Sequence, residues 1–313
     1  MAKVLGVFGA TGQQGGAIVD YVLNDAELSE QYRIRAITRD VNSEKAKQLR
    51  NRVEVVDGDM TNRVSLEAAL SGVHTVFLMT TPSFGPDAVE AEFNTAKLVA
   101  QVAVEAGVEY IIFSTLPAVA EVSGGKYTKV TAFDAKAKAE KYIRTLPVRS
   151  AFYCPASFME NFQSQAPLAP KRAPDGTWVL GRPVPPTSRW PLIYATGDGG
   201  KFVGAILAEP DKFEGKTLCA ATGLYSMEEM AAALTKSTGR KVVYRQIPAD
   251  EFRASLPEAI ADIFLEAFGF YDEFGYFGPG TDELVAWAAG NARGGNLTTL
   301  DDFFEKHPFQ LEG

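Results

Sequence analysis

Cysteine, histidine, long apolar runs and surplus positive charge are all scarce in this chain of 313 residues. Cys154 and Cys219 are its only cysteines and His74 and His307 its only histidines. Two distant thiols give no disulfide framework, and with two distant histidines they make no zinc-ligand spacing. Such cysteine usage suits a reducing compartment, so a cytoplasmic protein is expected. No apolar run is long enough to span a bilayer, and no membrane association is expected. The apolar stretch at the N-terminus is short and runs straight into glycines, unlike a signal peptide. Lysine and arginine total 31 against 39 acidic residues, a net charge of −8. An acidic chain repels a phosphate backbone, which argues against direct nucleic-acid binding and leaves a basic protein partner open. Repeats and low-complexity tracts are absent. What remains is ordinary for a globular protein: 46% hydrophobic and 22% charged residues, in a chain long enough to bury a large core.

The chain is organised around its first stretch. Lys3-Val4-Leu5-Gly6-Val7-Phe8 reads as a buried strand, and Gly9-Ala10-Thr11-Gly12-Gln13-Gln14-Gly15-Gly16 follows at once. Ala17 to Leu23 then continues at helical spacing. Strand, glycine turn and helix together form the context of a dinucleotide site. Gly9 permits the tight turn, Gly12 lets backbone approach a pyrophosphate, and Gly15 lets the helix pack closely. Phosphates would sit at the helix N-terminus, where free N–H groups and the dipole favour an anion. The spacing is G-x-x-G-x-x-G rather than G-x-G-x-x-G.

Strands and helices alternate from there to about residue 153. Strands are predicted at Arg33–Thr38, Val53–Asp57, Val73–Leu78, Tyr110–Ser114 and Arg149–Tyr153, with helices at Ser65–Leu70, Ala88–Ala106 and Phe133–Thr145. This rhythm predicts an α/β fold with a doubly wound parallel sheet of at least six strands. The end of the second strand reads the ribose of an adenosine. There Thr38-Arg39 comes before any acidic residue, and a guanidinium suits a 2′-phosphate, with Lys45 and Lys47 nearby. Asp40 is able to pair with Arg39 or to meet a ribose itself. Asp59 and Met60 follow the third strand, Thr80 and Thr81 the fourth, and Ser114-Thr115 close the fifth. Each group lies at a carboxyl end, where open sheets place ligands. Prolines crowd the stretch from 155 to 191, where a smaller α+β region is expected to begin. Asp198–Ala208 reads as a helix, and Ser226-Met227-Glu228-Glu229 is a capping box opening another. Lys241–Ile247 alternates as a strand. Phe252–Tyr276 reads as one phenylalanine-rich helix, and Phe303–His307 as the last, capped by Thr299-Leu300-Asp301-Asp302.

With these residues in hand the chain resembles the NmrA-like family, atypical members of the short-chain dehydrogenase/reductase superfamily. The resemblance rests on Gly9 to Gly16, Thr38-Arg39, Phe133-Asp134-Ala135-Lys136, Phe158-Met159-Glu160-Asn161-Phe162 and Thr299-Leu300-Asp301-Asp302-Phe303-Phe304. It implies a Rossmann-like NAD(P)-binding domain over residues 1–153 and a smaller substrate- or partner-binding region over 154–313, interleaved with it. It implies a bound NADP(H) or NAD(H); Arg39, where an acidic residue would select NAD, makes NADP(H) the preferred cofactor and NAD(H) the second. The implied cofactor contacts are Gly9, Thr11, Gly12, Gln13, Gln14 and Gly15 at the phosphates and Thr38 and Arg39 at the adenosine phosphate. Asp59 and Met60 would line the adenine pocket, and Thr80 and Thr81 the strand edge beside the ribose. Lys136 would meet the nicotinamide ribose, and Pro155, Ala156, Ser157 and Phe158 would lie beside the nicotinamide. Catalytic short-chain dehydrogenases carry Tyr-x-x-x-Lys. Here the residue four before Lys136 is Ala132, and a methyl group donates no proton.

Two readings follow. The preferred one is an NADP(H)-binding sensor, a regulator acting in the cytoplasm or the nucleus through a protein partner such as a transcription factor. Ala132 and the acidic charge agree with it. The alternative is an NADPH-dependent reductase of a small-molecule substrate, a carbonyl, quinone or imine, with Lys136 as the catalytic residue in place of the usual tyrosine.

Overall fold

The computed structural model describes residues 2–83, 85–165 and 168–311. Six parallel strands alternate with helices through the first half: β1 (Lys3–Phe8), β2 (Tyr32–Thr38), β3 (Glu54–Asp57), β4 (Thr75–Leu78), β5 (Tyr110–Ser114) and β6 (Arg149–Pro155). Seven further strands follow: β7 (Ser157–Phe158), β8 (Lys171–Arg172), β9 (Trp178–Arg182), β10 (Arg189–Ile193), β11 (Thr217–Ala220), β12 (Gly223–Ser226) and β13 (Val242–Gln246). The central sheet has seven strands in the order β11-β6-β5-β4-β1-β2-β3, every pairing parallel. Chain direction across the sheet reverses between β1 and β4. That reversal opens a crevice at the carboxyl ends, the place where such sheets bind ligands. Two small sheets, β12-β10-β7 and β13-β9-β8, lie in the second half.

The central strands are apolar along their length because helices cover both faces. Leu5, Val7, Ile34, Ala36, Phe77 and Ile112 are buried on one side, and Phe8, Ile37, Val76, Leu78, Ile111 and Phe113 on the other. A third cluster sits under the small sheets, built on Trp178, Trp190, Phe252, Phe268, Phe270 and Phe303. Most buried phenylalanines of the second half go here, while Phe202, Phe213 and Phe277 join the first cluster.

The halves are tied together by backbone proximity. Helix Ala195–Ala208 packs on the first helix, Gln13–Asn24, through small residues. A Cβ placed on Gly200 would lie 2.4 Å from Tyr21 Cβ and 2.5 Å from the Ala17 carbonyl oxygen.

The structure departs from the sequence reading in several elements. The seventh strand, β11, comes from the second half and was not anticipated, nor was helix Thr281–Gly290. The predicted helix Ser65–Leu70 starts earlier, at Arg63, and its cap is Asn62, which accepts from the Ser65 backbone N–H at 3.2 Å. Ser65 does not cap it; its hydroxyl bridges the β3 end, donating to Asp57 and accepting from the Asp59 N–H. The predicted helix Phe252–Tyr276 is two, Ala249–Ala254 and Glu258–Phe274, because Pro257 has no N–H to continue the first and biases Leu256 away from helix. The last helix, Leu300–Lys306, begins ahead of the predicted Phe303, with Thr299 and Asp302 forming its capping box. The capping box of Ser226 and Glu229 stands as expected.

Gly200→Ala decides whether the two helices truly meet backbone to backbone. Alanine gains about 1 kcal/mol of helix propensity, whereas forcing a methyl into filled space costs about 1–3 kcal/mol or more. With backbone oxygen as the obstacle, the clash wins and urea denaturation should show net destabilisation. Gly290→Ala, where nothing lies within 4 Å of the added Cβ, should instead stabilise by about 0.5 kcal/mol. A stabilised Gly200→Ala would contradict the packing.

Candidate functional site

The crevice begins at the turn after β1. Gly9 adopts φ +68°, a left-handed conformation suited to glycine. Its carbonyl accepts the Gly12 N–H at 2.8 Å, closing the turn. Gly15 is pressed against that same carbonyl: a Cβ there would stand 2.4 Å from the Gly9 oxygen. Gly12 meets only the Gly9 oxygen, at 3.3 Å, so its other side is open. The first helix starts at Gln13 with Gly12 as N-cap, no capping side chain and no acidic residue in its first turn. Its leading N–H groups are therefore offered to an anion.

A groove of about 490 Å³ runs from this turn across the ends of β1, β2, β3 and β4. Of the residues singled out from sequence, Gly9, Thr11, Gly12, Gln13, Gln14, Gly15, Thr38, Arg39, Met60, Thr81 and Phe158 line it. Phe8, Ile37, Asp40, Ser43, Gly58 and Met79 complete the wall. Arg39 is exposed and in no ion pair among the described residues. Lys45 and Lys47 are absent from the lining, and Lys47 pairs with Glu44.

The remaining predicted positions lie outside the wall. Asp59 is occupied within its own turn, accepting from the Thr61 N–H and hydroxyl at 2.9 and 2.7 Å, and these bonds hold its carboxyl below the usual range. Pro155 and Ala156 are buried at the end of β6. Ser157 faces a second, mostly apolar pocket, and Phe158 lines both spaces.

Lys136 and Thr80 lie behind the groove in a buried polar knot. Lys136 is 6% exposed, Thr80 2% and Glu92 2%. The lysine ammonium pairs with Glu92 Oε1 and donates to the Thr80 carbonyl and hydroxyl oxygens at 3.1 and 3.0 Å. The Thr80 hydroxyl in turn donates to Glu92 at 2.7 Å, while Glu92 Oε2 has no partner among the described residues. Burial pulls the Lys136 amine below its ordinary range, opposed by the Glu92 carboxylate. Ala132 lies one turn before Lys136 on helix Thr131–Ile143. Tyr127 precedes that helix, and its hydroxyl donates to Glu273 at 2.7 Å. Ser114 donates to Gln14 Oε1 at 2.7 Å, which ties the end of β5 to the glycine turn.

The sequence profile of the NmrA-like family matches residues 1–304. The chain belongs to the NmrA-like family. It is 29% identical over 319 aligned residues to the NmrA-like family domain-containing oxidoreductase cpsB of Aspergillus campestris, covering 95% of this chain and 91% of that protein. Its fold matches Nmra, a negative transcriptional regulator, with TM-score 0.79 and 20% identity over 98% of this chain and 96% of the other. That regulator has also been solved with NAD and with NADP. The fold likewise matches the NADPH-dependent quinone oxidoreductase QOR2 of Escherichia coli, solved with NADPH, with TM-score 0.75 and 21% identity over 97% and 99% of the two chains.

Two residues of the family-like motifs serve this NmrA-like scaffold. Asp134 accepts the Ala120 N–H at 3.0 Å, and burial raises its carboxyl pKa. Glu160 accepts from the Ala195 and Thr196 N–H groups at 3.2 and 2.8 Å, satisfying the start of the glycine-rich helix. Glu92 and Arg182 went unnoticed in the sequence. The signals were there: Glu92 falls on the apolar stripe of Ala88, Ala96 and Val99, and Arg182 shares the inward alternation of Trp178 and Leu180.

Glu92→Ala strands a buried ammonium and should lower unfolding stability by about 3–5 kcal/mol. Glu92→Leu combined with Lys136→Met removes both charges and should recover most of that loss in urea denaturation. Equal destabilisation by both proteins would show that packing, not charge, governs the knot.

Proposed function

We propose that this NmrA-like chain binds NADP(H) along the groove and reduces a small apolar carbonyl- or quinone-type molecule held in the adjoining pocket. One observation carries the proposal: Phe158 is a common wall of the groove and of the apolar pocket. A nucleotide in one and a substrate in the other would be neighbours across a single side chain. The names of the oxidoreductase cpsB and the quinone oxidoreductase support the same class of chemistry.

The glycine turn fits a dinucleotide on its own geometry, since Gly12 leaves open space where any larger residue would project into the groove. Gly12 and the uncapped helix start would hold the pyrophosphate. Arg39 would meet the 2′-phosphate, with Ile37, Gly58 and Met60 flanking the adenine. Thr81 would lie on the ribose side with Lys136 buried behind it, and Phe158 on the nicotinamide side, with Ser157 in the adjoining pocket and Pro155 and Ala156 buried beneath. NADPH supplies a hydride when bound. Lys136 keeps a proton behind Thr80, and its lowered pKa makes it a readier acid than an exposed lysine. NAD(H) lacks the phosphate that Arg39 would meet, and is the weaker ligand in this reading.

The second reading is the nucleotide sensor that acts through a protein partner. Ala132 favours it, because the tyrosine acid of the superfamily is missing and Tyr127 is committed to Glu273. The acidic charge of −8 disfavours contact with nucleic acid in either case.

Arg39→Ala should weaken NADP⁺ by about 1.5–3 kcal/mol, roughly ten- to a hundredfold, and leave NAD⁺ nearly unchanged. Calorimetry with both nucleotides tests this; equal losses would remove Arg39 from the phosphate. Turnover separates the two readings. Wild type should oxidise NADPH with a quinone or carbonyl at about 1 s⁻¹ or faster, the low end of common enzymes. Tight NADPH binding without turnover across such a panel would move the chain to the sensor class.

A further inference from the structure

We propose that the apolar pocket beside the groove is built for a ligand bearing an acidic oxygen on an apolar frame, and that Arg182 receives that oxygen. The proposal narrows the substrate class of the reductase reading and rests on that pocket being its ligand site.

Arg182 ends β9 and is 7% exposed. A cation so far from water needs a counter-charge or a full set of hydrogen-bond acceptors, and natural interiors seldom leave one without. No carboxylate pairs with Arg182 among the described residues. Its guanidinium donates to two backbone carbonyls, of Gly181 at 2.7 Å and of Leu168. Of its five N–H groups, those two bonds leave the others without a partner among the described residues. The Phe268 ring lies 5.7 Å from the guanidinium carbon. Burial lowers its pKa to about 10, with the Tyr244 hydroxyl pulling the other way. Carbonyl dipoles and a ring face stabilise a cation only in part; they do not neutralise it.

Apart from Ser157, Asn161 and Gln165, the pocket around this cation is apolar. Phe158, Phe162, Leu180, Leu192, Met227 and Met230 form its walls, and no acidic side chain is among the lining residues. The space between them is small, about 60 Å³ against about 490 Å³ for the groove. Trp190 also lines it, is 8% exposed, and its indole N–H finds no acceptor among the described residues. A charged donor short of acceptors asks for an anionic oxygen. The apolar walls ask for a ring or chain behind it. In a protein of net charge −8, a positive pocket without carboxylates is a local exception. On its far side Arg182 borders another cavity, which Arg172 and Arg245 line. That cavity is the competing seat for an anion, and the test separates the two.

Benzoate and the neutral, near-isosteric benzamide are the probes, each titrated by calorimetry into the full-length protein with saturating NADP⁺. Wild type should bind benzoate at least about tenfold more tightly than benzamide, the value of one charge-assisted contact. Arg182→Met should erase that preference while the NADP⁺ affinity stays as in wild type. Arg182→Lys, which keeps a cation in place, should retain a preference for benzoate over benzamide, and loss of that preference there overturns the proposal if Arg182→Met does not fold. Arg245→Ala should leave benzoate binding unchanged. Equal binding of the two probes by wild type, or no binding of either, would overturn the proposal. So would benzoate lost on Arg245→Ala, which would seat the anion in the other cavity. NADP⁺ is titrated separately beforehand. Its failure to bind would defeat the reductase reading, and the benzoate preference would then be read on the nucleotide-free protein by the same criterion.

Discussion

The contact between Gly15 and the carbonyl of Gly9 governs the geometry of everything around the groove. A helix that touches the turn feeding it can have no side chain at the point of contact. The first helix is thereby fixed in direction and depth against β1. Its uncapped start then points along the carboxyl ends of the sheet, and the ends of β2, β3 and β4 supply the rest of the groove wall. The same helix presents Ala17 and Tyr21 on its outer side to Gly200 and Gly204 of the second half. One close approach thus sets the groove, and a second on the same helix attaches the region that bears the apolar pocket.

Charge is handled differently in the two buried polar places. Lys136 is surrounded by oxygen: a carboxylate, a carbonyl and a hydroxyl. It is locally compensated, and its proton is held without a ligand. Arg182 has only two carbonyls and a ring beside it. The lysine behind the groove is thus compensated and the arginine in the pocket is not.

The glycine turn and the parallel sheet were legible in the sequence because their requirements are local. A strand, a left-handed glycine and a helix start lie within about twenty consecutive residues, and the strand–helix rhythm repeats after them. Residues at the carboxyl ends of the strands, such as Arg39 and Met60, follow from that rhythm. Glu92 is different: the apolar stripe marks it as buried, but its partner Lys136 lies on another helix, where no local pattern points to it. β11 is four residues long, too short for periodicity to separate it from a buried turn. The second half was read least well, since Pro257 divided a pattern that looked continuous and Gly280 opened a helix without a capping side chain.

The place of β11 in the sheet has a consequence for how the protein is made. Its residues Thr217–Ala220 pair with β6, which emerges from the ribosome some sixty residues earlier. Until then β6 is a bare edge, with Ala151, Phe152 and Tyr153 beside unpaired backbone groups. Such an edge invites pairing with another nascent chain. Synthesis of this protein therefore passes through a window in which its first half is formed but adhesive. The window closes only when a short strand from the second half arrives to cover it.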